Sequence, residues 1–117
     1  MPKQMHEFFD PRKTEGFQWR TPESYQNGEG GVQEMIVTED KETGVFTRFL
    51  KFEPGASGKG TLTHECWEEV YIIEGPLVAE GQVYEAGTVA IRPPGMPHGP
   101  FSAPEGALTF EVHYYSK

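Results

Sequence analysis

The chain has 117 residues, enough for one domain with a single core and little more. Ten Lys and Arg against eighteen Asp and Glu leave a formal charge of −8 at pH 7, which repels a phosphate backbone and excludes nucleic acid as an expected partner. No apolar run approaches the roughly 20 residues of a membrane span, the opening MPKQMHEFFDPRK has no apolar stretch of signal-peptide length, and the lone Cys66 cannot close an internal disulfide, so a cytoplasmic protein is expected.

Residues 1–31 carry turn residues and scattered aromatics without a sustained period. They read as an N-terminal arm whose Phe8, Phe9, Phe17 and Trp19 dock on the body or on a neighbouring subunit. From Val32 to the end, residues 32–117, the pattern is β. GVQEMIVTED leads into a polar turn at Lys41–Gly44, and VFTRFLKF follows until Pro54-Gly55 stops it. TLTH is expected to open the next strand, which runs on into EEVYIIEG. The short pieces LVAE, QVYE and TVAIR are separated by Glu80-Gly81 and Ala86-Gly87 turns. Pro93, Pro94, Gly95 and Pro97 make a rigid loop, and ALTFEVHYY closes the chain. Its alternation places Leu108, Phe110, Val112 and Tyr114 on one face and Thr109, Glu111, His113 and Tyr115 on the other. No long segment has a 3.6 period, so about eight short strands between Gly/Pro corners predict an all-β sandwich or barrel.

Two clusters carry chemistry: Leu62–Glu69 and Gly87–His98. His64 and Glu68 are an even number of residues apart and share a face if their strand is regular. With His98 brought in across the sheet they form a 2-His-1-carboxylate set, which suits Fe(II), Mn, Ni or Zn and leaves coordination positions open. A lone buried carboxylate is expensive unless paired or metal-bound, which favours Glu68 as a ligand. Cys66 reads as a small hydrophobe and His113 as an outward residue of the last strand or part of a dimer contact, while Arg48 and Arg92 have the surface as their default place and a charge for an anionic substrate as the alternative.

The second cluster resembles cupin motif 2: Gly87, five residues, Pro93, one residue, Gly95, two residues, His98. The first resembles cupin motif 1, His-x-His, three or four residues, Glu, six residues, Gly. Anchored on Gly75, that pattern puts the acid at Glu68, the second histidine at His64 and Leu62 where the first histidine stands. A second register reads His64-Glu65-Cys66 as His-x-Cys with Glu69 as the acid. The HGPF run at His98–Phe101 and the triplet Trp67-Glu68-Glu69 are also similar to the metal-binding domain of ChrR-type anti-sigma factors.

The resemblance spans Val45 to Tyr115 and implies a jelly roll, a double-stranded β-helix of six or eight strands with its site inside the barrel mouth. It implies a divalent metal (Fe, Mn, Ni or Zn) held by His64, Glu68 and His98. The expected activity is that of a metal-dependent enzyme, of dioxygenase, isomerase or lyase type, acting on a small carbonyl- or carboxylate-bearing molecule, with Glu69 and Tyr84 as candidates for moving protons. The alternative is a non-catalytic small-ligand or metal-sensing module, and Leu62 fits either a specialised or a lost metal site. Pairing into a homodimer through the outer sheet face and the aromatic arm is expected on the same resemblance.

Overall fold

In the computed structural model, residues 3–22, 31–58 and 63–115 are described. The β-branched and aromatic runs become strands β1 (Val32–Asp40), β2 (Val45–Phe52), β3 (Ala56–Gly58), β4 (Trp67–Glu74), β5 (Leu77–Ala79), β6 (Gln82–Tyr84), β7 (Val89–Arg92), β8 (Phe101–Ala103) and β9 (Ala107–Tyr114). The arm contributes one turn of 3-10 helix over Pro11–Lys13, capped by the Asp10 carboxylate on the Arg12 amide. Among the described residues no helix is long and apolar enough to cross a membrane.

The strands form two antiparallel sheets, β1-β2-β9-β4-β7 and β3-β8-β5-β6, the two walls of a jelly-roll barrel. Two expectations need correcting. Thr63 and His64 are not in a strand, because β4 begins only at Trp67; the rest of the expected TLTH strand, with Leu62, lies outside the described residues. Strands β3 and β8 are absent from the sequence reading, since Ala-Ser-Gly and Phe-Ser-Ala carry no β-branched residue.

Register explains how the barrel is filled. Successive inward rows cross the larger sheet as Val32-Phe52-Ala107, then Glu34-Leu50-Thr109-Ile72, then Ile36-Arg48-Glu111-Val70-Ala90, then Phe46-His113-Glu68-Arg92. The interior is therefore apolar at one end and charged at the other. Val32, Leu50, Phe52, Ala56, Ile72, Leu77, Phe101, Ala103 and Ala107 make the apolar core. The arm lies over the outer face of the β1–β2 half of the sheet. Lys3 Nζ donates to Thr47 Oγ1, Arg12 sits 5.7 Å over the Phe49 ring, and Lys51 sits 4.4 Å over Trp19. The Arg20 backbone pairs with Glu34 at the edge of β1.

Candidate metal centre

His64, Glu68 and His98 converge at the charged end of the barrel, one from a strand and two from separate loops. Glu68 is the second residue of β4 and points inward at 4% exposure. His64 lies in the loop before β4, so a shared strand face is not what aligns it with Glu68. A backbone hydrogen bond from Gly95 N–H to the His64 carbonyl, 2.8 Å, ties that loop to the proline-rich loop that carries His98. Gly95 takes φ +80° there, a conformation that favours glycine. His98 is 4% exposed, with Nδ1 3.4 Å from the Met96 carbonyl, which leaves Nε2 facing Glu68.

The donor atoms of this trio all lie within 4.8 Å of one another. His64 Nε2 is 3.6 Å from Glu68 Oε2, and His98 Nε2 is 3.9 Å from Glu68 Oε1. With metal–ligand bonds of about 2.1 Å, neighbouring ligand atoms stand about 3.0 Å apart in an octahedron and about 3.4 Å in a tetrahedron. The two histidine–Glu68 separations exceed these values by about 0.2–0.5 Å for a tetrahedron and about 0.6–0.9 Å for an octahedron, so side-chain closure of under about 1 Å on each would bring them round one divalent ion. Its two imidazoles and one carboxylate are a donor set suited to Fe, Mn, Ni or Zn.

Around the trio runs a chain of charges of alternating sign. Arg92 Nη1 donates to Glu68 Oε1 at 2.6 Å. On the other side, His113 Nε2 lies 3.0 Å from Glu68 Oε2 and 3.4 Å from Glu111 Oε1. Arg48 Nε donates to Glu111 Oε1 at 3.0 Å, and Arg48 Nη1 donates to Glu34 Oε1 at 2.8 Å. Arg20 closes the chain at the surface, 3.0 Å from Glu34 Oε2. Burial disfavours a charged Arg48, but Glu111 and Glu34 outweigh it and hold its pKa above the usual arginine range. Burial likewise opposes ionisation of Glu111, yet Arg48 and His113 hold its pKa far below the ordinary carboxylate range. Glu68 is also pushed up by burial and drawn down more strongly, chiefly by its hydrogen bond to His113, so it is ionised at neutral pH. His64 is shifted down by burial, with Glu68 opposing, which keeps its ring neutral and able to ligate.

Three expectations change here. His113 does not face outward: it is 3% exposed, and the inward face of β9 is the polar one, Thr109-Glu111-His113. That face is buried because Arg48 projects into the barrel opposite it rather than to the surface. Arg92 also has its side chain mostly buried, against Glu68. The structure does not bring Glu69 or Tyr84 to the cluster. Glu69 alternates to the opposite face of β4 from Glu68 and accepts a 2.6 Å hydrogen bond from the Tyr114 hydroxyl. Tyr84 packs against the apolar core, and its hydroxyl reaches Gln82.

The cavity inside the barrel, between His64, Glu68, His98, Arg92 and Phe101, is about 30 Å³, room for roughly two water molecules. A larger open cleft of about 940 Å³ lies outside it, lined by Arg20, Phe46, Arg48, His64, Cys66 and His113 among others. The cluster therefore faces solvent through the His64 side.

Residues 16–116 match the ChrR cupin-like domain family. No curated protein is similar enough to match. Among solved structures, an RmlC-like cupin from Shewanella frigidimarina NCIMB 400 superposes with TM-score 0.70 at 20% identity, covering 100% of this chain and 96% of that one. An acetylacetone dioxygenase from Acinetobacter johnsonii gives 0.71 at 17% identity, covering 97% and 78%. The Rhodobacter sphaeroides complex of SigE with the anti-sigma ChrR gives 0.61 at 20% identity, covering 82% of this chain and 48% of the matched one. At these identities the likeness is one of fold, an RmlC-like cupin barrel.

Proposed function

This chain belongs to the ChrR cupin-like family, and we propose that it is a metal-dependent enzyme acting on a small carbonyl- or carboxylate-bearing molecule, with a divalent cation held by His64, Glu68 and His98. The observation that carries this reading is the convergence of two imidazoles and one ionised, buried carboxylate at 3.6 and 3.9 Å, at the point where the barrel opens to a cleft. A bound divalent ion supplies Lewis-acid polarisation of a carbonyl or carboxylate oxygen, or, if redox-active, a place for O2. The protein's own residues do the rest. Val70, Leu77 and Phe101 exclude water from the inner side of the site. The inner cavity is small beside the cleft, so the organic substrate lies in the cleft and approaches past His64. Arg92 orients the Glu68 carboxylate through a charge-assisted hydrogen bond. The fold shared with a protein described as an acetylacetone dioxygenase supports the oxygenase variant of this reading.

The family match also favours a second reading, a non-catalytic metal- or ligand-sensing module, because ChrR is described as an anti-sigma factor. Elemental analysis of protein purified without added metal, beside a His98→Ala variant, separates the readings. One equivalent of metal that disappears in the variant, with substrate-dependent oxygen uptake in the iron form or turnover of a carbonyl compound in another form, supports the enzyme. Bound metal without turnover supports the sensor, and metal-free protein of both kinds removes the metal site altogether.

We further place the protein in the cytoplasm, on the ground of its one unpaired Cys66, and read it as a homodimer. Pairing is supported by the apolar residues bare on one sheet face, Tyr71, Val89 and Ile91, and by Phe8, 97% exposed on the arm.

A further inference from the structure

We propose that His113 is a third imidazole of the cation site, delivered from the last strand; this rests on the metal reading above. His113 is the direct cross-strand partner of Glu68, and its Nε2 lies 3.0 Å from Glu68 Oε2, the oxygen that also faces His64 at 3.6 Å. A separation of 3.0 Å is that of adjacent ligands around one octahedral ion with bonds of about 2.1 Å. The two separations from the His64 ring agree. An imidazole bound through Nε2 has its centroid about 3.2 Å from the ion, so adjacent rings stand about 4.5 Å apart in an octahedron and about 5.3 Å in a tetrahedron. The His64 ring is 4.9 Å from that of His98 and 5.4 Å from that of His113.

Packing fixes His113 in the orientation ligation needs. Phe46 stacks on its ring at 4.3 Å with 19° between the planes. Cys66 Sγ sits 3.6 Å from Nδ1, which occupies that side of the ring and leaves Nε2 for the cluster. Glu111 is close enough to complete a separate cation group with Glu68 and His113. Its carboxylate is already committed, however, with Oε1 bound to Arg48 and Oε2 accepting from the Thr109 hydroxyl. A cation beside it would meet the Arg48 guanidinium, so His113 joins His64 and His98 rather than founding a second site. Glu68 is the residue the two groups share, and closure of the His113 ring toward the His64–His98 side would bring four donors together, enough for a tetrahedron or for an octahedron with two positions open.

The test is a zinc titration of metal-free, uniformly 15N-labelled protein, followed through the histidine ring nitrogens. The chain has four histidines, and His6, packed against Phe9 and Phe17 in the arm, is an internal reference. The expected result is that the Nε2 resonances of His64, His98 and His113 move together and saturate at one equivalent while those of His6 stay fixed. A His113→Gln variant then binds zinc at least about tenfold more weakly, with its own thermal unfolding curve showing that it folds. Should that variant not fold, the wild-type spectra decide alone. One equivalent of zinc that moves His64 and His98 and leaves His113 unmoved overturns this inference and spares the metal reading. Zinc that neither binds nor moves any ring overturns both.

Discussion

Glu68 and Arg92 are cross-strand partners on β4 and β7, and their side chains meet at 2.6 Å inside the barrel wall. In metal-free protein this contact and His113 are what compensate a carboxylate that is 4% exposed. Replacing Arg92 by Gln strips part of that compensation and is expected to destabilise the metal-free protein by about 2 kcal/mol, less than for a fully enclosed pair because the Arg92 side chain keeps 16% exposure. A divalent cation supplies the missing positive charge. Zinc should therefore raise the urea midpoint of Arg92→Gln by more than it raises that of the wild type. Equal zinc increments in the two proteins would show that Arg92 does not share the Glu68 charge with the ion.

Arg48 carries a different burden. Its guanidinium bridges Glu34 and Glu111, two carboxylates buried to 6% and 5% exposure. Arg48→Met leaves both buried charges without it and is expected to cost about 3–5 kcal/mol in chemical denaturation. Arg48→Lys rescues little, since a single ammonium cannot reproduce the forked contact to two acids. Adding Glu111→Leu to Arg48→Met should recover part of the loss, because one stranded charge is removed with its partner. A double variant as unstable as the sum of the two single ones would argue against direct coupling.

These two arginines also mark where sequence reasoning stopped. Strands β1, β2, β4, β7 and β9 announce themselves through β-branched and aromatic runs, and the spacing of His64, Glu68 and His98 is visible in the chain. Alternation divides β9 into two faces but does not say which is inside. The ordinary rule assigns the apolar set Phe110, Val112 and Tyr114 to the core, whereas Thr109, Glu111 and His113 occupy it. That inversion depends on Arg48, and the contact that produces it joins residues 63 apart in sequence. A signal was present: an arginine on the same strand face as Phe46, Leu50 and Phe52, and a Glu and a His sharing the polar face of a closing strand. The partner that pairs them is set by topology, not by any local pattern.

The β1–β2 hairpin offers a pH-dependent handle away from the site. Burial opposes the Asp40 carboxylate, but the Glu42 amide at 3.0 Å, the Thr43 side chain and the Thr43 amide at 3.4 Å together outweigh it and lower its pKa below the ordinary 3.8. A folded-state pKa below the unfolded one means the contribution is fully present above about pH 4 and is lost as pH falls through the lowered value. The Glu42 and Thr43 amide resonances should therefore titrate together with a midpoint below 3.8, and Asp40→Asn should abolish that step. A midpoint at or above 3.8 would mean that the turn does not hold the ionised form.

Half of the outer face of the five-stranded sheet is covered and half is bare, and the division follows one row of residues. From β1 to β7 that row reads Met35, Phe49, Phe110, Tyr71, Val89. Exposure rises along it, from 2% at Met35 to 47% at Tyr71 and 57% at Val89, with Ile91 beside them at 58%. The arm explains the covered end, where Arg12 lies over Phe49, and the same arm holds Met5 and Phe8 out at 82% and 97% exposure. A two-fold pairing places each arm's bare apolar residues on the other copy's bare half-sheet, which satisfies both surfaces with one contact repeated twice. Light scattering at micromolar concentration should then give twice the chain mass for the wild type. Val89→Glu with Ile91→Glu should give the monomer, because it puts four carboxylates into the paired interface while leaving the inward row of β7 intact. Phe8→Ser should weaken the dimer from the other side of the same contact. A wild type that scatters as a single chain removes the pairing, and a dimer that survives both changes moves it to another face.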